Sequence, residues 1–409
     1  MKQLPNGWGN TVLSQIMDFK NGLNFTKSNN GEAIKIVGVG DFKDLTELKS
    51  TENLDIVYVD NTIKNEELLK NGDLLLVRSN GNKELIGRCL FFPIVEERLS
   101  FSGFTIRGRV VNKGADAQFI SNFMQSKILK QQIQKNSGGT NISNLSQEIL
   151  NSINIMLPPL PEQTKIAQIL GTWDKAIRTT EQLIANSEQQ KQALMQQLLT
   201  GKKRLLNDDG ERFCGEWDEA HLNNLLSEVR LRNQNENIQR VLSVTNHSGF
   251  VLPEEQFSKR VASENVSNYK VVKQGQFAYN PSRLNVGSFA RLDKFSDGIL
   301  SPMYVVFSVQ SNLLDSDFFL HWMQSHEVNQ RIKNSTQGSV RESVGFDAFC
   351  SFPFRLPIME EQQKIAAVLT AADNETETLK QTLCRLKTEK QALMQQLLTG
   401  KLRVQVKAA

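Results

Sequence analysis

The twelve residues KQALMQQLLTGK occur twice, at 191–202 and, 199 positions later, at 390–401. The correspondence runs back without a gap to EQTKIAQIL, which begins at Glu162, and to EQQKIAAVL, which begins at Glu361. Between 162–202 and 361–401, 21 of 41 positions are identical. A repeat that returns after almost half of a 409-residue chain indicates two copies of a whole module. We therefore predict a single-chain pseudo-dimer.

Both repeated segments have the pattern of a long helix that ends before Gly201 or Gly400. Apolar residues recur at alternating spacings of three and four for more than four heptads, which predicts a narrow seam between two paired helices. The alternative is two separate amphipathic helices, each packed on its own domain. The predicted helix-pair interface consists of Ile166, Leu170, Trp173, Ile177, Ile184, Leu194 and Leu198 in the first helix, and Ile365, Leu369, Leu379, Leu383, Leu386, Leu393 and Leu397 in the second.

The bulk composition is that of an ordinary soluble protein, with 39% hydrophobic and 22% charged residues. No apolar run approaches the length of a membrane span, and the first residues lack the apolar core of a signal peptide. The four cysteines lie far apart without a CxxC pair, which favours reduced thiols and a cytoplasmic location. A formal net charge of +4 permits nucleic-acid binding without requiring it.

The segments outside the repeat alternate short β-rich runs with one helical stretch each, at 117–135 and 317–333, and this pattern predicts α+β modules. The predicted order is a globular domain at 1–157, a helix at 158–202, a second globular domain at 203–356, and a second helix with a tail at 357–409. The two globular domains share a plan but little sequence, whereas the helices share sequence. A divergent part joined to a constant part favours variable recognition on a fixed frame.

Together these features resemble the specificity (S) subunits of Type I restriction–modification enzymes. The resemblance covers essentially the whole chain. It rests on the doubled EQxKIAxxL and QALMQQLLTGK segments, on GGTNISNLSQEIL at 138–150, and on Trp8 and Trp217 near the start of each globular domain. It implies that the globular domains are target recognition domains and that the two helices form an antiparallel coiled coil. Because the two recognition domains differ, the implied target is an asymmetric, bipartite DNA sequence with one half-site per domain.

The same resemblance implies the partners and cofactors. The expected partners are double-stranded DNA, two methyltransferase (M) subunits and restriction (R) subunits, with no membrane. This chain is expected to be non-catalytic and to bind no cofactor or metal. S-adenosylmethionine would be used by the M subunits for adenine methylation, and ATP and Mg²⁺ by the R subunits.

One polar loop in each globular domain has the residue types that read base edges, namely arginine or lysine for guanine and asparagine or glutamine for adenine. The two loops follow Gly72-Asp73 and Gly275-Gln276 and end before Gly87 and Gly287. The alternative is that they are ordinary solvated hairpin loops. The candidate DNA-contacting residues are Arg78, Ser79, Asn80, Asn82 and Lys83 in the first, and Tyr279, Asn280, Ser282, Arg283 and Asn285 in the second.

A glycine-rich or polar loop after each predicted helical stretch is the second candidate, because glycine allows close backbone approach and hydroxyls can meet phosphate oxygens. The alternative is a tight turn that returns the chain to the sheet. The candidate residues here are Ser137, Gly138, Gly139, Thr140 and Asn141, and Gln337, Ser339 and Arg341.

We find no catalytic constellation in the sequence. The stretch Asn280-Pro281-Ser282-Arg283 departs from the Asn/Asp-Pro-Pro-aromatic motif of amino-methyltransferases at its third and fourth positions, and no Walker A motif or histidine metal spacing is present. Two alternatives remain: a fused methyltransferase or nuclease with its own recognition domains, and a coiled-coil adaptor that does not bind DNA.

Overall fold

The computed structural model describes residues 4–24, 31–43, 45–48, 50–59, 63–136, 144–256, 265–336 and 343–406. The chain divides into two compact units, one made of Met1–Glu181 with Gln381–Ala409 and the other of Gln182–Lys380. Each unit therefore holds one globular head together with part of each long helix. The boundary between the units divides each long helix, after Glu181 and after Lys380. The domains predicted from the sequence are instead four consecutive segments, and their bounds stay a prediction.

The first strand of the first head pairs antiparallel with its last strand, and the head ends at the long helix. Its strands are β1 (Gly9–Val12), β2 (Met17–Asn21), β3 (Glu32–Val37), β4 (Asp55–Val59), β5 (Asp73–Val77), β6 (Cys89–Phe92), β7 (Leu99–Phe101), β8 (Thr105–Val110) and β9 (Asn154–Leu157). Its helices are α1 (Ala117–Met124), α2 (Lys127–Asn136) and α3 (Gln147–Asn151), followed by the long α4 (Leu160–Leu198).

The second head repeats much of this plan. Its strands are β10 (Asp218–His221), β11 (Leu226–Glu228), β12 (Ser243–Thr245), β13 (Gly249–Val251), β14 (Lys270–Lys273), β15 (Phe277–Tyr279), β16 (Phe289–Arg291), β17 (Asp297–Leu300), β18 (Val305–Val309) and β19 (Pro353–Leu356). Its helices are α5 (Pro253–Gln256), α6 (Ser316–Met323), α7 (His326–Thr336) and α8 (Phe346–Cys350), followed by the long α9 (Met359–Leu398).

Each head is built on a four-stranded antiparallel sheet with the same topology. The strand order is β2-β8-β5-β6 in the first head and β11-β18-β15-β16 in the second. Smaller sheets flank them: β4-β3-β7 and β1-β9 in the first head, and β12-β13, β14-β17 and β10-β19 in the second. The apolar faces of the two central sheets are buried under the short helices, and this is the α+β class that the sequence predicts.

Each head also buries apolar residues from both long helices. In the first unit Ile166 and Leu170 of α4 and Leu397 of α9 belong to the same apolar cluster as strands β2, β5 and β8. In the second unit Leu198 of α4 and Ile365 of α9 occupy the equivalent places. Full burial of one such side chain contributes roughly 1.5–3 kcal/mol, so the helix ends are fixed to the heads by packing.

Candidate nucleic-acid interface and its frame

The first candidate loop lies between β5 and β6, at one end of the central sheet. Val77, the last residue of β5, pairs with Thr105, the first of β8, so the loop lies beside the β7–β8 turn. The backbone N–H of Arg78 donates to the Phe104 carbonyl at 2.8 Å, and the Arg78 carbonyl accepts from Leu145 at 2.8 Å. The loop is therefore held from both sides by backbone contacts.

Two asparagines of this loop use their side-chain oxygens to shape it. Asn80 Oδ1 accepts from the backbone N–H of Asn82 at 2.8 Å, and Asn82 Oδ1 accepts from the N–H of Glu84 at 3.0 Å. Such local side-chain bonds are typical of Asx turns. Asn82 and Lys83 are exposed, whereas Arg78, Ser79 and Asn80 are half-buried. The five residues predicted from the sequence therefore form one surface loop.

The second candidate loop occupies the same position in the other head. Tyr279 at the end of β15 pairs with Val305 at the start of β18, as Val77 pairs with Thr105. The Pro281 carbonyl accepts from the N–H of Val344 at 3.0 Å, a bond similar to that from Leu145 to Arg78 but one residue further along the loop. The predicted equivalence of the two loops therefore has a geometric basis in the sheets.

Tyr279 does not belong to the exposed part of this loop, and this corrects the sequence-based set. Its side chain is fully buried, with its ring 5.5 Å from that of Phe349 and 6.2 Å from that of Phe307. Burial raises the pKa of its hydroxyl well above the ordinary value. The residue is a core member of β15 because its side chain points to the apolar face of the sheet, and a DNA contact would require the head to open.

The remaining residues of the second loop form a turn with an exposed tip. Asn280 is largely buried, and its Oδ1 accepts from the N–H of Ser282 at 3.1 Å, which caps the turn. Ser282 and Arg283 are exposed and Asn285 is half-buried. Gly287, which closes the turn, has a φ of +87°, a conformation that favours glycine. Arg283 is therefore the charged group that this loop presents most openly.

The second set of candidate DNA contacts lies outside the described residues. These are Ser137, Gly138, Gly139, Thr140, Asn141, Gln337, Ser339 and Arg341. Their assignment to DNA contact stays a prediction.

The residues predicted for the helix pair lie along one side of α4 and α9. Buried among them are Ile166, Leu170, Leu198, Ile365, Leu369 and Leu397. Half-buried are Trp173, Ile177, Ile184, Leu194, Leu379, Leu383, Leu386 and Leu393. In the second unit the seam also holds a buried hydrogen bond of 2.8 Å between the hydroxyls of Ser187 and Thr376. The two helices therefore contact each other, and the outermost predicted residues also serve the cores of the heads.

Ion pairs along the seam show that the helices run antiparallel within each unit. In the first unit Asp174 pairs with Lys390 at 2.5 Å and Glu181 with Lys387 at 2.8 Å. In the second unit Glu188 pairs with Lys380 at 2.8 Å and Lys191 with Asp373 at 2.5 Å. In both units the residue number rises on α4 as it falls on α9. The antiparallel coiled coil expected from the resemblance is therefore present.

The first residue of the repeat, Glu162, is the centre of a buried cluster in the first unit. Trp8 Nε1 donates to its Oε2 at 3.0 Å, and Arg403 donates to both of its oxygens at 2.7 and 2.9 Å. The Arg403 guanidinium lies 5.7 Å from the centre of the Trp8 ring. This hydrogen bonding raises the pKa of Arg403 above its ordinary value. The cluster ties the start of α4 to the start of the first head and to the segment that follows α9.

The second unit contains the same cluster around Glu361, which is fully buried. Trp217 Nε1 donates to Glu361 Oε2 at 3.0 Å, and Arg204 donates to both oxygens at 2.6 and 2.7 Å. The hydrogen bonds to Glu361 raise the pKa of Arg204. Sequence reasoning ended the repeat at Lys202 and missed these arginines. The signal was present, because Arg204 and Arg403 also differ by 199 positions.

The glutamine that follows each of these glutamates binds the backbone of its head. Gln163 accepts from the N–H of Asp116 at 2.8 Å and donates to the carbonyls of Gly114 and Pro158, each at 2.8 Å. Gln362 makes the matching bonds in the second head, including one of 2.8 Å from the N–H of Asp315. The repeated Glu-Gln pair therefore fixes where each head sits on its helix start.

Neither a metal cluster nor a membrane helix is found in the described part of the chain. No group of three or more histidine, cysteine or carboxylate side chains there is arranged to hold a metal ion. A search of the same described residues finds no helix that is long and apolar enough to cross a bilayer.

A sequence model of the family described as Type I restriction modification DNA specificity domain matches residues 5–189 and 258–388. The Type I restriction enzyme MjaVIII specificity subunit of Methanocaldococcus jannaschii is 23% identical over 367 residues, which cover 84% of this chain and 82% of that protein.

Two solved structures share the fold. A chain from a study of complex assembly and conformational transition of the type I R-M system superposes with a TM-score of 0.59, at 16% identity, over 98% of this chain and 100% of that one. The Type-I restriction-modification system S subunit from M. genitalium superposes with a TM-score of 0.54, at 13% identity, over 97% and 98%. With the family model matching most of its length, the chain belongs to the Type I restriction modification DNA specificity family.

Proposed function

We propose that each head reads one half of a bipartite, double-stranded DNA target through the loop that follows β5 or β15. The observation that carries the proposal is the pair of loops themselves. Each loop lies at the same end of the four-stranded sheet of its own head. Their sequences differ, however: RSNGNK at 78–83 and NPSRLN at 280–285. A common scaffold with unlike polar tips is what two readers of different half-sites require. The proposed target is therefore asymmetric.

Membership of the specificity family means that this chain supplies recognition and is not itself a catalyst. We propose that two methyltransferase subunits carry the S-adenosylmethionine chemistry on adenine, and that restriction subunits supply ATP- and Mg²⁺-dependent cleavage. The doubled helix segments support two methyltransferase copies, because they offer two surfaces that share 21 of 41 residues, including the identical KQALMQQLLTGK. Base extrusion, which adenine methylation of a duplex requires, would then belong to the partners.

The Arg283→Ala variant tests the reading role of the second loop. In a complex with methyltransferase subunits, we expect it to weaken binding to the cognate duplex about tenfold, since a good bidentate base contact provides about 1–3 kcal/mol. The matched control is Arg385→Ala, which removes an exposed arginine from the outer surface of α9.

Salt titration separates base contact from phosphate contact in the same samples. Loss of a phosphate contact in the variant would weaken binding to all sequences alike and flatten the dependence on salt, whereas loss of a base contact would relax sequence preference. Equal affinity of wild-type complex for cognate and unrelated duplexes would contradict the proposed function. Binding of S-adenosylmethionine by this chain alone would favour the fused methyltransferase instead.

A further inference from the structure

Each head carries one large apolar side chain in solvent beside its candidate reading loop. Phe104 is 64% exposed in the first head, and Met303 is 58% exposed in the second. Phe104 lies in the turn between β7 and β8, and Met303 lies in the turn between β17 and β18. The two positions are 199 residues apart, as in the helix repeat, although the heads share little sequence.

The backbone of the two turns is built alike. The N–H of Thr105 donates to the Ser102 carbonyl at 2.8 Å, and the N–H of Tyr304 donates to the Ser301 carbonyl at 3.0 Å. Each exposed side chain is therefore the third residue of its turn. Phe104 directly precedes β8, whereas the buried Tyr304 separates Met303 from β18. The fold thus places an exposed apolar residue at the same position of this turn in both heads, although the residue is phenylalanine in one and methionine in the other.

Direct contacts join each turn to its candidate reading loop. The Phe104 carbonyl accepts from the N–H of Arg78 at 2.8 Å and of Ser79 at 3.4 Å. In the second head Asn280 Nδ2 lies 3.8 Å from Met303 Sδ. Phe104 and Met303 therefore lie directly beside their candidate loops.

A single exposed apolar residue is ordinary on a protein surface, and the chain has others, such as Ile94. What distinguishes Phe104 and Met303 is that they recur at one topological position, each next to hydrogen-bonding side chains. In the major groove of DNA, base edges offer donors and acceptors together with one apolar group, the 5-methyl of thymine. A loop of polar side chains flanked by an apolar one matches that surface.

We propose that Phe104 and Met303 are specificity-determining residues, each of which contacts a thymine 5-methyl group in the half-site read by its own head. This inference rests on the proposed function and names a further contact of the same two sites. Each half-site contains a suitable base, because an adenine that is methylated there is paired with thymine.

The test uses the full chain in complex with methyltransferase subunits and a duplex that carries its mapped target. Uracil replaces thymine in the half-site read by the first head, which removes only the methyl group. We expect this replacement to weaken wild-type binding about fourfold, since one buried methylene-sized group contributes about 0.8 kcal/mol. Phe104→Ala should weaken binding about tenfold and abolish the effect of uracil.

Two variants serve as controls. Ile94→Ala removes an equally exposed apolar side chain beyond the opposite end of β6, and we expect wild-type affinity. Met303→Ala should abolish the uracil effect in the other half-site only. Both target residues are exposed, so truncation leaves the core intact.

Three results would overturn the inference. They are wild-type affinity of Phe104→Ala, an undiminished uracil effect in that variant, and loss of methyltransferase assembly, which would make the turn a partner-subunit contact. None of them affects the proposed function, which fails separately if the wild-type complex does not prefer its target to an unrelated duplex.

Discussion

At the scale of single residues, the repeated segments contain the side chains that bind each head to the start of its long helix. Glu162 and Glu361 each bind one tryptophan and one arginine, and the arginine comes from the segment that follows the other long helix. A buried carboxylate is costly unless it is paired and hydrogen-bonded. The fixed triad of tryptophan, glutamate and arginine explains why these positions stay the same in two halves whose heads have diverged.

Glu361→Gln should destabilise the second unit by about 2 kcal/mol, because glutamine keeps only one acceptor oxygen, so one bond from Arg204 is lost and its guanidinium loses the opposing charge. Denaturant unfolding followed by tryptophan fluorescence measures this, since Trp217 lies in the cluster. Glu360→Gln makes the same change at an exposed neighbour and should have little effect. Equal stability of the two variants would refute a structural role for the cluster.

His321 gives the second unit a specific response to acid. It is buried on α6, with Nε2 3.0 Å from Thr370 Oγ1 and Nδ1 3.8 Å from Asp373. Burial first, and then the charge of Lys191, lower its pKa below 6.5, with Arg291 acting in the same direction, whereas Asp373 and Asp317 act against the shift. The unfolded chain therefore binds this proton more readily than the folded one. Stability is complete above the unfolded pKa and declines as the pH falls through it.

His321→Asn should remove this part of the pH dependence. Asparagine fits the site, because Asn122 is buried at the equivalent position in the first head. We expect the loss of unfolding free energy between about pH 7.5 and about pH 5.5 to be smaller in the variant than in wild type. The comparison uses the change in unfolding free energy with pH, because the loss of the bond to Thr370 lowers the stability of the variant at every pH. Identical pH profiles would show that His321 does not contribute.

At the scale of elements, two ion pairs of the coiled coil lie at equivalent repeat positions, but the acidic and basic residues are exchanged between those positions. Glu181 of α4 pairs with Lys387 of α9 in the first unit, and Lys380 of α9 pairs with Glu188 of α4 in the second. Positions 181 and 380 correspond under the repeat, as do 188 and 387, so both charges have been exchanged together. The pairing has been kept while the residues changed, which indicates that the contact itself matters.

Glu181→Lys should destabilise the first unit by about 0.5 kcal/mol, a small effect because both side chains are about half exposed. Glu181→Lys with Lys387→Glu should recover most of that loss, since it recreates the polarity of the second unit. A double-mutant cycle with the single Lys387→Glu variant gives the coupling energy. A coupling of zero would mean that the pair is a surface coincidence.

Much of the element order is readable from the sequence, because its signals are local. The strands Asp55–Val59 and Asp73–Val77 and the ends of both long helices follow from composition, proline and glycine. The single helix predicted at 117–135 is instead two helices. Ser126 breaks it, since its Oγ accepts from the N–H of Leu129 at 3.3 Å and starts a new helix, and Ser325 does the same in the second head.

The candidate site is less predictable than the fold. Glycine spacing indicates the loop after β15, but which of its side chains are buried depends on the face of the sheet to which they point. Tyr279 points to the apolar face and is buried, which the sequence does not reveal. Phe104 and Met303 are not predictable as candidate contacts, because the exposure of an apolar residue cannot be inferred from the sequence. Contacts between distant segments, such as Arg403 with Glu162, likewise need the folded chain.

At the scale of the whole molecule, the chain consists of two heads with one topology and unlike candidate reading loops on a duplicated helical frame. The frame residues that bind each head are the same in both halves, so the frame does not distinguish one head from another. Specificity should therefore move with a head when it is exchanged.

The most direct measurement is a map of methylated adenines in cells that express the chain with its methyltransferase subunits. Wild type should give one asymmetric, bipartite motif. Replacing residues 1–157 by the head of another specificity subunit should change one half of that motif and leave the other half unaltered. A motif that changes in both halves, or in neither, would contradict the claim that each head reads its own half-site.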